Sequence, residues 1–286
     1  MGTIAENQDA WGHYDWSKGG DEWSHCWGGT ESLWWTTLFP RVRRFVPAPR
    51  ILEIAPGFGR ITQYLKGLCD ELIVVDLTER CIAACRERFA GESHISYHVN
   101  DGRSLDAIAD GSIDFVFSYD SLVHAETDVI EAYLAQLGRK LRPDGAGFFH
   151  HGNLGSFRDA ASGALTVANP HWRAESTAAA DVVRYCEVAG LVCLSQELVA
   201  WGGDVLNDCF STFTVRGSVY ERSYQRFENP RFMDEAARAL ELARTYGLDG
   251  AIPLRRDPAP RPVARGPASA PRGLFARLRE LVSPSS

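Results

Sequence analysis

The sequence has little that would place the protein outside the reducing interior of a cell. Its 286 residues contain seven cysteines but no C-x-x-C pair, which argues against a zinc ribbon and a thioredoxin-type redox site. An odd number of dispersed cysteines is typical of buried free thiols in a reducing compartment. The N-terminus lacks a basic flank followed by an apolar run, and no stretch approaches the length of a membrane span. We therefore expect a cytoplasmic protein.

The sequence also lacks an excess of basic residues. Thirty Lys and Arg stand against 37 Asp and Glu, which gives a formal net charge of −7 at pH 7. A general nucleic-acid-binding protein usually has the opposite sign of charge, so we expect no nucleic-acid partner. The hydrophobic fraction of 45% is that of an ordinary globular protein and excludes wholesale disorder.

The tryptophans are concentrated near the N-terminus. Six of the eight lie within residues 1–45, where glycine and polar residues separate them. This pattern is too broken for one long helix. We predict a Trp-rich extension of short helices and loops that lies over the main body as a lid, with most indoles packing it in place and one or two lining a pocket.

Residues 46–217 alternate strand-like and helix-like patterns. Apolar runs such as RILEIA, ELIVVDL, SIDFVFSYD and AGFFHH are typical of buried strands, and amphipathic segments lie between several of them. Strands that alternate with helices favour a doubly wound, mostly parallel sheet of the Rossmann-like α/β class. Two further runs, LVCLSQELV and CFSTFTVRG, are joined by a short loop, so we predict seven strands with the last one antiparallel.

Two segments that follow this predicted sheet differ sharply in composition. Residues 218–250 have the pattern of one or two helices. Residues 251–286 are rich in Pro, Ala and Arg, which predicts a disordered tail. Near its end, GLFARLRELV would form a short basic amphipathic helix, and so short a helix predicts only a weak, reversible contact with an anionic membrane surface.

A glycine-rich turn joins the first predicted strand to the next helix. The run Glu53-Ile54-Ala55-Pro56-Gly57-Phe58-Gly59-Arg60 contains glycines that would let the backbone approach a ligand closely. On its own such a turn is a weak signal, because dinucleotide-binding proteins use a similar one. Two details point away from a dinucleotide: Glu53 would repel a pyrophosphate, and Thr62 stands at the third glycine position of that fingerprint.

The ordered series of motifs resembles the class I S-adenosylmethionine-dependent methyltransferases over about residues 48–217. EIAPGFGR resembles the first motif of that family, with Ala55 in place of the usual first glycine. VVDL resembles the second motif, in which Asp76 would hold the ribose hydroxyls. NDG resembles the segment in which Asp101 would contact the adenine amino group. IDFVFSYDSLVH resembles the fourth motif, whose strand end faces the transferred methyl group.

The resemblance implies S-adenosylmethionine as the cofactor and a defined set of residues that would bind it. Trp27 is included because an aromatic face suits a sulfonium cation. The full set is Glu53, Ala55, Gly57, Gly59, Arg60, Asp76, Leu77, Asp101, Gly102, Ser118 and Trp27.

The aromatic N-terminus, the SYDSLVHAE run and the HHGN run together resemble a narrower group. These are bacterial methyltransferases that act on sugars of surface polysaccharides, glycolipids or glycosylated metabolites. The resemblance predicts O-methylation of a sugar hydroxyl. The alternatives are O- or N-methylation of a non-sugar natural product, and an inactive cofactor-binding subunit that supports a partner enzyme.

A sugar hydroxyl is a poor nucleophile, so we expect a general base. The candidates at the ends of the fourth and fifth predicted strands are Asp120, His124, Glu126, His150 and His151. Adjacent residues of a strand point to opposite faces, and of His150 and His151 we favour His151 because it lies further past the apolar run. His124 follows Asp120 by four residues, which suits a base oriented by a carboxylate. The same groups could hold a metal ion, but no paired-Asp signature is present and we predict none.

Overall fold

The computed structural model describes residues 2–246, and its centre is an eight-stranded sheet. The strands are β1 (Arg50–Ile54), β2 (Glu71–Asp76), β3 (Ile95–Val99), β4 (Ile113–Ser118), β5 (Leu141–Gly152), β6 (Leu191–Val199), β7 (Asp208–Val215) and β8 (Gln225–Asn229). The α-helices are α1 (Ile4–His13), α2 (Thr30–Leu33), α3 (Phe39–Val42), α4 (Thr62–Leu65), α5 (Glu79–Arg88), α6 (Thr127–Lys140), α7 (Ala179–Val188) and α8 (Phe232–Thr245). Short 3-10 helices lie at Asp21–Trp27, Leu122–His124 and Leu154–Phe157, and a π-helical stretch lies at Trp34–Leu38.

The strand order across the sheet is β3-β2-β1-β4-β5-β7-β6-β8. The first five strands of the chain are parallel, β7 runs antiparallel to β5 and β6, and β8 runs parallel to β6. The carboxyl ends of β1, β2 and β4 therefore meet at one edge of the sheet. Ligands of open α/β sheets bind at such an edge.

The run CFSTFTVRG forms the antiparallel strand that we predicted, but the prediction of seven strands needs a correction. The antiparallel strand is β7, and β8 follows it and pairs with Ser195–Val199 of β6. This eighth strand lies in the segment 218–250 that we predicted to be helical, where Phe232–Thr245 does form a helix. The residues of β8 are mostly exposed and polar, so they carry no apolar strand pattern. The unpaired backbone edge of β6 decides their conformation.

Helices cover both faces of the sheet, which explains why the central strands are apolar throughout. One apolar cluster joins the sheet to α2, α3, α4, α5 and α8. The other cluster joins the opposite face to α6 and α7. The N-terminal helices thus contribute side chains to the main core.

Arg41 of α3 ties this N-terminal region to the far side of the sheet. Its guanidinium donates to Glu197 of β6 at 2.7 Å and to Glu235 of α8 at 2.9 Å. Burial opposes the charge on Arg41, but the hydrogen bonds to Glu197 and Glu235 raise its pKa above the ordinary value. The ring of Phe232 lies 5.5 Å from the guanidinium carbon. Three segments that are distant in sequence are held together by this one side chain.

Several predictions concern parts of the chain outside the described residues. These are the Pro-, Ala- and Arg-rich tail at 251–286 with its basic amphipathic helix, and the last residues of the segment 218–250. Within residues 2–246, no helix has the length and apolar character needed to span a membrane.

Candidate active site

A cavity, which we call the first cavity, opens at the carboxyl ends of β1, β2 and β4. One wall of this cavity comes from the glycine-rich turn after β1 and from the residues that follow β2 and β4. The N-terminal segment supplies the opposite wall. The lining residues include Glu53, Ala55, Gly57, Arg60, Asp76, Leu77, Gly102 and Tyr119 from the main body, and Ile4, Asn7, Trp11, Trp16 and Trp23 from the N-terminal segment.

The glycine-rich turn uses left-handed backbone conformations at three positions. Ala55 has φ +58°, an uncommon value for a residue with a side chain. Gly57 also has φ +58°, and a Cβ atom there would lie 3.0 Å from the ring of Trp16. A Cβ atom at Gly59 would lie 2.6 Å from the ring of Phe89. Gly57 therefore keeps the cavity open toward the indole, whereas Gly59 allows the turn to pack against the end of α5.

Two buried carboxyl groups face the first cavity. The hydroxyl of Thr62 donates to Glu53 Oε2 at 2.6 Å. Asp76 accepts hydrogen bonds from the backbone N–H of Thr78 at 2.8 Å and of Gly57 at 3.3 Å. Burial raises the pKa of Glu53 to about 8 and the pKa of Asp76 to about 6. The cavity thus presents acidic groups to which a ligand with hydroxyl or ammonium donors can bind.

Helix α1 covers the first cavity through polar as well as aromatic contacts. Asn7 Nδ2 donates to the backbone carbonyl of His124 at 2.8 Å, and Asn7 Oδ1 accepts from Trp11 Nε1 at 3.2 Å. After the helix, the Trp16 ring stacks on Phe58 with centroids 4.6 Å apart and an interplanar angle of 4°. The N-terminal segment is thereby joined to both the glycine-rich turn and the residues after β4.

Arg60 and Asp120 form an ion pair in the wall of the first cavity. Arg60 Nη2 donates to Asp120 Oδ2 at 2.8 Å, and Arg60 Nη1 donates to Ser24 Oγ at 3.1 Å. The guanidinium lies over the rings of Trp23 and Tyr119, at 5.4 and 5.5 Å from their centroids. Asp120 itself has φ +58°, so the chain turns sharply where its carboxylate meets the cavity.

A second cavity adjoins the first and shares four of its lining residues. The shared residues are Trp11, Trp23, Asp120 and His124. The rest of its wall comes from Ala10, Tyr14, Cys26, Pro170, His171, Trp172, Arg173 and Trp201. Five of the twelve lining side chains are Trp or Tyr, a composition typical of sites that bind the flat or apolar face of a small molecule.

His124 lines both cavities, and one of its two ring nitrogens is hydrogen-bonded to the protein backbone. Its Nδ1 lies 3.0 Å from the backbone carbonyl of Trp172, and a carbonyl can only accept, so Nδ1 carries the proton. Among residues 2–246, Nε2 has no hydrogen-bond partner. Burial and the nearby charge of Arg173 lower the pKa of His124 to about 4. At neutral pH the ring is therefore neutral, with a free lone pair at Nε2.

Residues 51–145 match the sequence model of a family described as a methyltransferase domain. This chain contains a methyltransferase domain. The matched range spans β1 to the start of β5 and includes the glycine-rich turn, both buried acids and the residues after β4.

One solved structure with low sequence identity has the same fold. A SAM-dependent methyltransferase from Leishmania major has 13% sequence identity and a TM-score of 0.52 over 74% of this chain and 82% of its own. An S-adenosylmethionine-dependent methyltransferase from Mesorhizobium loti has 17% identity and a TM-score of 0.48 over 62% of this chain and 96% of its own.

A curated relative matches only a short segment. Ribosomal RNA small subunit methyltransferase A of Pseudomonas fluorescens is 38% identical over 60 residues, which is 21% of this chain. The match covers 22% of the length of that relative.

Most of the predicted cofactor residues of the methyltransferase domain lie together in the first cavity. The ones that line it are Glu53, Ala55, Gly57, Arg60, Asp76, Leu77 and Gly102. This placement brings together residues from three separate strand ends, and their assignment to the cofactor stays a proposal.

Four predicted cofactor residues do not line the cavity. Gly59 packs against α5, as described above. The exposed carboxylate of Asp101 accepts the backbone N–H of its own loop, at 2.7 Å from that of Ser104. Ser118 is fully buried and donates to the Ile54 carbonyl at 2.9 Å. Trp27 lies in the core beside α8, with its Nε1 donating to a threonine hydroxyl at 3.0 Å.

The structure also corrects the prediction that His151 is the base. His151 is fully buried, its Nδ1 donates to the Gly152 carbonyl at 2.8 Å, and its Nε2 accepts from Ser211 Oγ at 2.7 Å. His150 points to the opposite face but is also fully buried and lines neither cavity. Glu126 is likewise outside both cavities, with its carboxylate accepting from the Ser176 backbone and hydroxyl. Of the predicted catalytic residues, His124 and Asp120 are the two that reach the cavities.

Sequence reasoning missed several residues of the site. Tyr119 lines the first cavity, and its buried hydroxyl has no hydrogen-bond partner among residues 2–246. Trp16 and Trp23 line the same cavity, although Trp27 was the tryptophan that we predicted there. The adjacency of Tyr119 to Asp120 at a strand end was the available signal for the tyrosine. Within the described residues, no group of three or more His, Cys, Asp or Glu side chains is arranged to hold a metal ion.

Proposed function

We propose that this protein transfers the methyl group of S-adenosylmethionine to a hydroxyl group of a sugar that binds in the second cavity. The observation that carries the proposal is the position of His124. His124 lines both cavities, as Asp120 does, and its unprotonated Nε2 has no hydrogen-bond partner among residues 2–246. A base between a donor site and an acceptor site is what O-methylation of a weakly nucleophilic hydroxyl requires.

The first cavity has groups that fit S-adenosylmethionine. Asp76 would accept hydrogen bonds from the ribose hydroxyls, and Glu53 would lie near the amino-acid moiety. The buried Tyr119 hydroxyl lacks a protein partner among residues 2–246, so a ligand can supply one. The rings of Trp16 and Trp23 give an aromatic environment that favours a sulfonium cation. When bound, the cofactor supplies an activated methyl group on sulfur.

His124 would accept the proton of the acceptor hydroxyl at Nε2 as the new oxygen–carbon bond forms and the sulfur–carbon bond breaks. The Trp172 carbonyl holds the Nδ1 proton, so the ring keeps its orientation during the transfer. The carboxylate of Asp120 favours the imidazolium that results. Most of the rate acceleration would come from alignment of the hydroxyl with the methyl group.

The second cavity favours a neutral acceptor with an apolar face. Its charged groups already have partners, because Asp120 is paired with Arg60 and Arg173 is paired with Asp208 at 2.7 Å. Its walls are rich in indole rings, and Trp172 is 68% exposed at its edge. A sugar ring combines an apolar face with neutral hydroxyls. A neutral phenol has the same combination and is the alternative from the non-sugar class.

The test is a methyl-transfer assay with S-[methyl-³H]adenosylmethionine and three acceptor classes. These are neutral p-nitrophenyl and methyl glycosides, simple phenols, and a small-subunit ribosomal RNA fragment. We expect label in the glycosides and a decrease of ~10²–10⁴-fold in kcat for His124→Gln, the usual contribution of a general base. The matched control is His13→Gln, because His13 is exposed on α1 and should retain full turnover.

Transfer to phenols but not to glycosides would overturn the sugar assignment and keep the base. The RNA fragment is included because the curated relative acts on ribosomal RNA by its name. Label in RNA alone would overturn the proposal as a whole. The acidic net charge of −7 argues against that result.

A further inference from the structure

Three non-glycine residues between positions 2 and 246 have φ in the left-handed region, and all three line the cavities. They are Ala55, Asp120 and Trp172. Such conformations are unfavourable for residues with side chains, and they persist where surrounding contacts enforce them. For both Asp120 and Trp172, one series of contacts leads back to the same buried ion pair.

This ion pair joins Arg173 to Asp208, the first residue of β7. Arg173 Nε donates to Asp208 Oδ1 at 2.9 Å, and Nη2 donates to Asp208 Oδ2 at 2.7 Å. Asp208 is fully buried and Arg173 is 5% exposed. The two parallel hydrogen bonds fix the guanidinium in orientation as well as in position.

From Asp208, one branch of contacts leads to Asp120. His150 Nε2 lies 3.1 Å from Asp208 Oδ2, and His150 Nδ1 accepts the backbone N–H of Asp120 at 3.2 Å. Because Nδ1 accepts, the proton of the neutral ring is on Nε2 and is donated to the carboxylate. Asp208 therefore selects the tautomer of His150 that can hold the strained backbone of Asp120.

From Arg173, the other branch leads to His124. Arg173 directly follows Trp172, whose carbonyl accepts the Nδ1 proton of His124 at 3.0 Å. The backbone N–H of Arg173 donates to Asn169 Oδ1, and the backbone carbonyl of Arg173 accepts from Asn169 Nδ2, each at 2.8 Å. The carbonyl that selects the tautomer of His124 thus belongs to a segment anchored at the ion pair.

We propose that the Arg173–Asp208 ion pair, with His150, is a positioning device that fixes both the backbone of Asp120 and the ring of His124. Through His150 it holds the backbone of Asp120, whose side chain lines both cavities. Through the Trp172 carbonyl it keeps the proton of His124 on Nδ1, which leaves Nε2 free to accept a proton from the acceptor. His150 and Asp208 line neither cavity, and Arg173, which lies in the wall of the second cavity, acts here through its bonds to Asp208. The inference rests on the roles of Asp120 and His124 in the proposed function.

The first test needs no acceptor. In the double variant Arg173→Met/Asp208→Leu, apolar side chains replace both charges, an exchange that buried ion pairs often tolerate. Long-range ¹H–¹⁵N spectra of the imidazole groups report each tautomer, and the spectrum of His124→Gln identifies the His124 signals. We expect the Nδ1–H form of His124 in the parent protein and loss of that form in the double variant. A folded double variant that keeps the Nδ1–H form would overturn the inference.

The second test uses His150 and covers the case in which the double variant fails to fold. His150→Asn retains an acceptor near the Nδ1 position, whereas His150→Leu removes it. On the acceptor found in the methyl-transfer assay, we expect kcat of His150→Leu to fall about 100-fold, the scale of a small misplacement of reacting groups. His150→Asn should recover most of this loss, while KM for the acceptor and Kd for S-adenosylmethionine stay near the parent values in both.

Equal kcat in His150→Leu and the parent protein would overturn the positioning role. Equal losses in both variants would overturn it as well, because they would indicate a structural effect of any substitution. If the parent protein methylates none of the three acceptor classes, the proposed function fails, and the tautomer measurement still decides whether the ion pair positions His124.

Discussion

At the scale of single residues, the candidate site depends on polar groups that are held away from water. Three titratable groups of the site, Asp76, Glu53 and His124, are buried. Burial favours the neutral form of each, so it raises the pKa of the two acids and lowers that of the histidine. Such shifts cluster at functional sites, although structural networks produce them too. Each assigned role therefore needs a test in which a single side chain is substituted and the rest of the cavity wall is unchanged.

Asp76→Ala should weaken the binding of S-adenosylmethionine by ~1.5–3 kcal/mol, the range for hydrogen bonds to a charged group. Isothermal titration calorimetry measures this change directly. The matched control is Asp101→Ala, because the exposed Asp101 carboxylate is bonded to its own loop. We expect the control to bind with unchanged affinity. Unchanged affinity in a folded Asp76→Ala variant would remove Asp76 from the cofactor site.

The pH dependence of turnover should reflect the unusual environment of His124. Burial and Arg173 lower its pKa from 6.5 to about 4, and a base is active in its unprotonated form. At saturating cofactor and acceptor, kcat should therefore hold as the pH falls through 6.5 and decline only as it approaches the lowered pKa. A pH profile of kcat whose acidic limb lies at the ordinary histidine value would contradict this environment for His124.

At the scale of elements, the attachment of α3 to β6 and α8 determines how the N-terminal region is held. Arg41→Met would leave Glu197, whose side chain is 7% exposed, without its cationic partner. Breaking a buried pair from one side typically costs about 3 kcal/mol or more. We expect a loss of this order in the free energy of unfolding, measured by urea denaturation.

The control for Arg41 is the exposed pair Arg238–Glu241 on α8, where both side chains are about two-thirds exposed at 65% and 64%. Arg238→Met should change the free energy of unfolding by less than about 1 kcal/mol, as for most surface pairs. Equal effects of the two substitutions would mean that Arg41 makes only a surface contact in solution.

At the scale of the whole molecule, we predict different roles for the two ends of the chain. Deletion of residues 1–30 would remove α1 with Trp11, Trp16 and Trp23 from the cavities and Trp27 from the core. We expect loss of both turnover and solubility. Truncation after residue 254 removes mainly Pro, Ala and Arg, and the composition of this segment predicts little burial. The melting temperature and turnover of that variant should be unchanged.

The comparison of these two truncations tests the proposed division of roles. An N-terminally shortened protein with full turnover on a soluble glycoside would show that the lid is not needed. A tail-less protein that is inactive on the same glycoside would show that residues 255–286 contribute to catalysis.

The amino-acid sequence by itself determined the order of the strands from β1 to β7 and the identity of most groups around the first cavity. The apolar runs of β1, β2 and β4, the turn from Glu53 to Arg60 and the acid at Asp76 are local features. Because parallel strands of such a sheet end at one edge, these local features are enough to predict that the groups meet. The family resemblance implied a shared role for these groups in cofactor binding, and that role stays a prediction.

Only the tertiary structure decided which side chain reaches the junction of the cavities. His150 and His151 have the better local signal, at the end of an apolar strand, but β7 covers both through Asp208 and Ser211. Trp27 packs in the core against Phe232 of α8. Strand β8 forms because the edge of β6 is available for backbone hydrogen bonds. These outcomes depend on packing partners that are far away in the sequence. The residue pattern of a short segment does not identify the segment that will bury it.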